Sequence, residues 1–434
     1  MKTILGIDIG SSKTVAIIAD IGEEPTITGV GITKTKGIRK GTITNLEQVS
    51  SSIKQAVNDA KRIAGVNVDT AIVSISGTYT KSIQSHGIIN IPSHEITLSE
   101  IHRVIQTSLY NANLQQDEVI LQAIPYNFKV NDISDVEDPE GMSGNRLEVD
   151  VHIIISPRAA VENLKKTFKM AGIKVENIVL NAFASAIATL NDEEREQGVA
   201  LIDIGATTSD LIIIKENAIR WSEFVGVGSH HITNDLSMAI KTPISKAEEI
   251  KLNIAKFKDD DIVEVPIIGD DKTQSINIVT IKQIMYARIN ETLMILNKLI
   301  EDSKLKDSLS GIVLTGGFTN LTNLRETAID IFGNMAVRVA KPKEINGLFK
   351  NLKSPEFSTA IGLILYSLGK HSSYEIDSNK KFRSKYKLEI SSDELENDEN
   401  IPANTLPSGE DGPLLKKDEV NFFQKIYMWV KDLF

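Results

Sequence analysis

Two stretches of this chain place an aspartate and a loop of small hydroxylated residues at the end of an apolar strand. KTILGIDIGSSKT carries Asp8, Gly10, Ser11, Ser12 and Lys13, and VALIDIGATTSD carries Asp203, Gly205, Thr207 and Thr208. Consecutive backbone N–H groups in such a loop, with the Ser and Thr hydroxyls, can wrap an anion. A second β-branched strand follows each loop, VAIIADI in the first copy and LIIIK in the other, so both loops read as hairpin turns. That excludes a P-loop and a dinucleotide fold, which need a helix whose N-terminus receives the phosphate. Two facing hairpins could grip a polyphosphate from both sides. Asp8 and Asp203 would then sit at the mouth to hold Mg²⁺ through water, because hard cations take oxygen ligands. A third element, GIVLTGGFTNL at 311–321, is an apolar strand ending in Thr315, Gly316, Gly317 and Phe318. Its Gly-Gly pair lets a flat ring or ribose approach backbone that a Cβ would block.

Such loops need strands that end side by side, and strand and helix signals alternate from residue 3 to about 369, which predicts an α/β fold. Helical periodicity is clearest in Leu46 to Ala64, Ser99 to Ala112, Ala159 to Ala171, Ala182 to Leu190, Ser245 to Phe257 and Ile281 to Asp302. The recurrence of Asp-Ile-Gly in matching context predicts a duplicated fold. After Gly369 the character changes: a basic cluster from Lys380 to Lys387, an acidic run from Glu389 to Glu399, then IPANTLPSGEDGP, a linker by composition. The closing NFFQKIYMWVKDLF is apolar again. On a helix, Phe422, Phe423, Ile426, Tyr427, Trp429, Val430, Leu433 and Phe434 fall on one half of the circumference, with Met428 as the misfit. Such a helix is about 20 Å long, short of the roughly 30 Å hydrocarbon core, so it would lie in a membrane interface without spanning it. The alternative is a helix that docks back on its own body.

Composition bounds the rest. At 434 residues the chain has room for two or three domains, and 41% apolar with 24% charged residues is ordinary for a globular protein. The net charge of −10 argues against broad nucleic-acid binding. With no cysteine there is neither a disulfide nor a thiolate metal site, and a reducing cytosol is expected. The seven histidines show no metal-ligand spacing. Neither a signal peptide nor an apolar run of about 18 residues is evident, so a cytoplasmic protein is expected.

In their order, GIDIGSSKT, LIDIGATTSDL and LTGGFTNL resemble the phosphate-1, phosphate-2 and adenosine motifs of the actin, sugar-kinase and heat-shock-chaperone superfamily. Ile178 to Leu190 and Pro355 to Gly369 resemble its interdomain connections. Within that superfamily, SISGTYTKSIQSHGIINI, the helix from Ser99, VILQAIPYNFKVND and PEGMSGNRLEVDVHIII are similar to the small inserted subdomain of the FtsA family of bacterial cell-division proteins. The resemblance covers residues 1 to about 369 and the terminal helix. It implies an actin-like two-lobed duplicated fold with a small α+β subdomain inserted in the first lobe and a C-terminal amphipathic helix. Subdomain 1A would take 1–84, 164–198 and 346–370, the inserted 1C 85–163, 2A 199–228 and 301–345, and 2B 229–300. A flexible linker would run over 371–420, and a membrane-binding helix over 421–434.

The resemblance further implies ATP and Mg²⁺ as cofactors, a homopolymeric filament, and attachment of the FtsZ ring to the inner face of the cytoplasmic membrane at the septum. Later division proteins would be recruited there. Glu248 and Lys251 match positions that grip the ribose in relatives, or else form an exposed i,i+3 ion pair. The C-terminal tail of FtsZ would dock on 229–300, with Arg288, Lys282 and Lys298 facing its acidic side chains; each is also readable as solvated helix charge. Two departures stand out. Ala206 replaces a glycine, so a Cβ crowds the second loop. Asn181 stands where filament-forming relatives place a Glu that orients water, which implies a weak ATPase at most. The rival readings are a pilus-assembly adaptor of similar build and a sugar or acid kinase on the same fold.

Overall fold

The central strand of each lobe is apolar along its length because both its faces are covered. In KTILGIDI, Leu5 and Ile7 are fully buried, and in VALIDI so are Ala200, Leu201, Ile202 and Ile204. The computed structural model describes residues 2–22, 24–347, 350–369 and 372–384. The chain opens with an antiparallel meander, β1 (Lys2–Ile9), β2 (Lys13–Ile21) and β3 (Pro25–Lys34). A small hairpin, β4 (Ile38–Arg39) and β5 (Thr42–Ile43), leads into α1 (Leu46–Ala64) and β6 (Thr70–Ile75). The insertion comes next: β7 (Lys81–Asn90), α2 (Leu98–Asn111), β8 (Glu118–Val130), β9 (Ile133–Val136) and β10 (Arg146–Pro157). With α3 (Arg158–Met170) and β11 (Lys174–Leu180) the first lobe's sheet is complete, and α4 (Asn181–Thr189) and α5 (Asp192–Gln197) cross to the second lobe.

That lobe repeats the opening as β12 (Val199–Ile204), β13 (Ser209–Lys215) and β14 (Ala218–Val225). Its own insertion is α6 (Ser229–Ala239), α7 (Ile244–Asn253), the hairpin β15 (Ile262–Pro266) and β16 (Thr273–Asn277), and α8 (Ile278–Asp302). It closes with β17 (Gly311–Thr315), α9 (Leu324–Phe332) and β18 (Ala336–Val339). The chain then returns through α10 (Ser358–Tyr366) to a last hairpin, β19 (Tyr374–Ile376) and β20 (Phe382–Ser384).

Sheet order makes the duplication explicit. The first lobe runs β3-β2-β1-β6-β11 and the second β14-β13-β12-β17-β18. In each, the first two neighbouring pairs are antiparallel and the last two parallel. The antiparallel turns between β1 and β2, and between β12 and β13, are the two small-residue loops. Three cores result: one fills the first lobe and runs on through α4 and α10 to one face of the second lobe's sheet, one covers that sheet's other face, and one lies in the inserted subdomain. All six helices read from periodicity are present as α1, α2, α3, α4, α7 and α8, with small shifts of their ends. Short polar α5 escaped that reading; it is held by a capping box in which Asn191 and Glu194 satisfy each other's backbone N–H groups.

Two expected boundaries are corrected. The inserted subdomain starts before residue 85, since β7 begins at Lys81, and it ends at Pro157. The boundary at 163 would divide α3, whose Val161, Leu164 and Phe168 are buried in the first lobe's core. The linker does not begin at 371. Strand β19 pairs with β8 and with β20, and Tyr374, Ile376 and Phe382 are buried in the insertion's core. Burial of these three apolar side chains, roughly 1.5–3 kcal/mol for each fully buried one, holds the hairpin in place. The rest of the linker and residues 421–434, with the proposed membrane-facing Phe422, Phe423, Ile426, Trp429, Val430, Leu433 and Phe434, lie outside the described residues. Among the described residues no helix is long and apolar enough to cross a membrane.

Candidate nucleotide-binding site

Each small-residue loop is a four-residue turn closed by one backbone hydrogen bond. Gly10 N–H donates to Lys13 O at 3.0 Å, and Gly205 N–H donates to Thr208 O at 2.8 Å. The Cβ of Ala206 therefore leaves the turn intact. Because the sheets are duplicates, the turns project from corresponding strand ends and meet: Thr207 Oγ1 donates to Ser11 Oγ at 2.6 Å. The second loop is also tied to α6, with Ser229 N–H on Gly205 O at 3.0 Å and His230 N–H on Ala206 O at 2.7 Å.

Behind the loops lie three carboxyl groups, Asp8 and Asp210 buried and Asp203 half-buried. Asp8 accepts from Ser74 Oγ at 2.8 Å, and Asp203 accepts from Ser185 Oγ at 2.5 Å and Thr359 Oγ1 at 3.1 Å. Burial pushes Asp8 up to about 6, with the negative Asp203 adding to the rise against the Ser74 hydrogen bond. Asp203 is raised by burial as well. Asp210 reaches about 7, first through burial and then through Asp203, although its Oδ1 accepts the backbone N–H of Gly77 at 2.7 Å. Burial of this kind favours the neutral acid, and a bound cation would draw each group back towards its carboxylate. Asp8 and Asp203, with the Ser185 and Thr359 hydroxyls, are a hard oxygen donor set of the kind that holds Mg²⁺ through one or two carboxylates and retained waters. Among the described residues no group of three or more His, Cys, Asp or Glu is placed to hold a metal directly.

The cation carried by the turns themselves is Lys13. Its Nζ lies 2.6 Å from Glu356 Oε2 and 3.6 Å from the centre of the Phe357 ring. Burial lowers its affinity for a proton, while Glu356, Asp8 and Asp203 oppose that shift.

The third motif is divided between two roles. Gly316 has φ +89°, and a Cβ there would stand 2.3 Å from Asp203 Oδ1 and 2.5 Å from Ile204 O. The closeness of β17 to β12 and the positive φ already require a glycine there. A Cβ on Gly317 would touch only Glu356 Cβ at 3.5 Å, so Gly317 is the open position. The Phe318 side chain is fully buried in the second lobe's core, which removes its ring from the candidate contacts. Thr315 is internal too, its hydroxyl 2.7 Å from Ser358 Oγ.

Glu248 and Lys251 form an ion pair at 2.7 Å, but not an exposed one. Lys251 is buried and donates to Thr233 Oγ1 at 2.9 Å and to Ser229 O at 3.2 Å, on the helix tied to the second loop. Glu248 is half-buried and held below its ordinary value by Lys251 and Thr233 against the effect of burial. Asn181 is the first residue of α4, and its Oδ1 is buried without a protein partner.

The three basic residues of α8 do not form one patch. Arg288 pairs with Asp235 at 2.5 Å and with Glu291, Lys282 with Asp259 at 2.6 Å, and Lys298 with Asp302 at 2.7 Å. At about 100° and 1.5 Å per residue, Lys282 and Lys298 are roughly 24 Å apart and all three point to different sides.

Sequence reasoning missed Asp210, Glu356, Ser185 and Thr359. Only Asp210 left a signal. The registers Ile9↔Thr14 and Ile204↔Ser209 make Val15 and Asp210 equivalent, so an acid interrupts an apolar strand where the first copy has valine.

The family model described as "Cell division protein FtsA" matches residues 200–362, and that for the "SHS2 domain inserted in FTSA" matches 77–155. The cell division protein FtsA of Helicobacter pylori is 38% identical over 420 residues, covering 88% of this chain and 85% of the relative. That of Pseudomonas aeruginosa is 33% identical over 379 residues, 86% of this chain and 90% of the relative. Among solved structures, a chain of the PilM–PilN type IV pilus biogenesis complex superposes with TM-score 0.62 at 16% identity, covering 84% of this chain and 98% of its own length. MreB5 of Spiroplasma citri bound to ADP superposes with TM-score 0.52 at 14% identity, covering 84% and 96%. The actin-like fold read from the sequence is the fold observed.

Proposed function

This chain belongs to the FtsA family of cell division proteins, and from that footing we propose that it binds ATP with Mg²⁺ between its lobes, assembles into filaments, and holds the FtsZ ring to the inner face of the cytoplasmic membrane. The observation that carries the ATP reading is the meeting of the two turns at Ser11 and Thr207, in front of Asp8 and Asp203. Phosphate oxygens replacing that hydroxyl contact would be held by backbone N–H groups from both lobes and by Lys13. Mg²⁺ bound through Asp8 and Asp203 would screen the phosphate charge. The nucleoside would lie beside Gly317, with its ribose against Glu248 and Lys251. MreB5, of the same fold, is bound to ADP in one structure and AMPPNP in another, which supports the nucleotide.

Asn181 can hold a water through its amide but cannot take its proton, so ATP acts mainly as a ligand that orders the lobes, with weak turnover at most. Residues 421–434 bind the membrane through an apolar face, and the 229–300 subdomain receives the FtsZ tail. Arg288, Lys282 and Lys298 contribute to that contact singly and only by exchanging their present acidic partners. One terminal helix binds weakly; a filament presents many at high effective concentration, so attachment follows assembly.

Co-sedimentation of the full chain with anionic lipid vesicles, with and without Mg·ATP and FtsZ, tests this reading. Vesicle binding that rises with ATP and brings FtsZ down is the expected result, and Trp429→Glu should leave the protein in the supernatant. Equal sedimentation of that variant would place the tether elsewhere.

A further inference from the structure

One nine-residue helix joins the candidate cleft to the last described hairpin of the chain. At the N-terminal end of α10, Thr359 Oγ1 donates to Asp203 Oδ2 at 3.1 Å and Ser358 Oγ lies 2.7 Å from Thr315 Oγ1, on the strand before Gly316. Just ahead of the helix, Glu356 and Phe357 hold Lys13. At the other end, about 12 Å away by helix rise, Tyr366 is fully buried. Its hydroxyl donates to Glu375 Oε1 at 2.8 Å and accepts from Asn177 Nδ2 at 3.1 Å.

Those bonds open into a buried polar network that spans three parts of the fold. Glu375 also accepts from Gln122 Nε2 at 2.9 Å, and Gln122 Oε1 accepts the N–H of Leu180 at 3.0 Å. Asn177 Nδ2 reaches Asp377 Oδ2 at 3.2 Å, and Arg383 Nε donates to the same oxygen at 2.8 Å. Glu375 and Asp377 are 1% and 0% exposed. Apolar burial of Tyr374, Ile376 and Phe382 would suffice to attach a short hairpin. Two buried carboxylates add a desolvation cost that only well-formed partners offset, so the hairpin's fit depends closely on where Tyr366, Asn177 and Gln122 stand.

The helix is in turn coupled to the lobes. It packs on α4, with Gly362 so close that a Cβ there would lie 1.8 Å from Ala184 O. Both helices contact Asp203, α4 through Ser185, and both lie on the segments that cross between the lobes. Lobe closure on a ligand therefore has to shift this pair as a unit, because closely packed elements move by discrete steps. We infer that the β19–β20 hairpin is the output of the cleft: ligand at Asp203 and Lys13 displaces α10, and Tyr366 passes the displacement to Glu375 and the hairpin from which the C-terminal segment departs.

The inference rests on the reading of the cleft as a nucleotide site, and one experiment separates the two. Hydrogen exchange by mass spectrometry is followed on the full chain without nucleotide, with Mg·ADP and with Mg·AMPPNP, reading peptides that cover 6–16, 200–212 and 374–384. Nucleotide is expected to slow exchange severalfold in the first two peptides and to change the rate of the hairpin peptide by at least threefold. Tyr366→Phe, which keeps the ring and removes the hydroxyl, should retain the cleft protection and lose the hairpin response. Glu375→Gln serves as the second variant and should do the same. Protected cleft peptides with an unresponsive wild-type hairpin would overturn the inference and leave the nucleotide reading standing. A hairpin that responds equally in wild type and both variants would overturn the route through Tyr366. Absence of protection at the cleft itself would remove the nucleotide reading, and the inference with it.

Discussion

Lys13 is the single cation that the two small-residue turns carry, and its replacement by methionine isolates that charge. Methionine keeps most of the length and packs on Phe357, so the fold should survive. The pair with Glu356 has side-chain exposures of 22% and 38%, and exposed pairs of this kind contribute about 0–1 kcal/mol. A charge-assisted hydrogen bond from Lys13 to a phosphate oxygen is worth roughly 1.5–3 kcal/mol, or a 10- to 150-fold loss of affinity when removed. The upper half of that range is expected, because Asp8 and Asp203, already felt by Lys13 through space, would then face the phosphates with Mg²⁺ as their one counter-charge. Glu356→Gln makes the opposite test. Glu356 competes with phosphate for the ammonium and adds a negative charge beside Gly317, so neutralising it should tighten binding a few-fold. Titration of a fluorescent ATP analogue with Mg²⁺ by each variant reads both effects. A Lys13→Met affinity within threefold of wild type, or a Glu356→Gln loss as large as the lysine's, would refute the placement of the phosphates against the first turn.

Gly316 and Gly317 should separate stability from binding. The positive φ of Gly316 costs about 1–2 kcal/mol with a Cβ, so Gly316→Ala should lower the melting temperature by about 1–2 °C from that strain alone, and by more given the contact with Asp203. Gly317→Val should leave melting nearly unchanged and weaken nucleotide binding at least tenfold, and equal melting losses would return both residues to a structural role. The buried acids predict a pH dependence in the ligand-free chain. Their folded values are raised, so the stability they confer is present in full below the ordinary carboxylate value near 4. It is lost as pH rises through about 6 for Asp8 and about 7 for Asp210. Binding of Mg·ATP near pH 6.5 should accordingly release protons, seen as a dependence of calorimetric enthalpy on the buffer's ionisation heat; no such dependence would mean these acids stay ionised. Finally, steady-state ATP turnover should fall below the roughly 1 s⁻¹ floor of typical enzymes, and Asn181→Glu should raise it at least tenfold. Brisk wild-type turnover would show that another group supplies the base.

The two turns, Asp8, Asp203 and the duplication were legible because each is written locally: an apolar strand, a small-residue turn and a second strand occupy about 18 consecutive positions. Glu356, Ser185 and Thr359 were not, since they reach the site only after α4 and α10 cross between the lobes, and nothing in NAFASAIAT or STAIGLILY marks a hydroxyl as aimed at Asp203. The hairpin at 374–384 was hidden for a related reason. Strands of three residues carry no period, and Glu375, Asp377 and Arg383 read as linker charge when their burial depends on Gln122, Asn177 and Tyr366, up to 253 residues away. Duplication also sharpens what differs between the copies. The strand registers align Lys13 with Thr208 and Val15 with Asp210. One turn thus supplies a cation and the other a neutral hydroxyl, while the second strand adds an acid that accepts from Gly77 in the first lobe. A symmetric pair of turns could hold phosphate in either direction. The unequal pair, with open backbone at Gly317 on one side only, fits a ligand whose charge lies against the first turn and whose flat, uncharged end lies beside Gly317, past the end of β17.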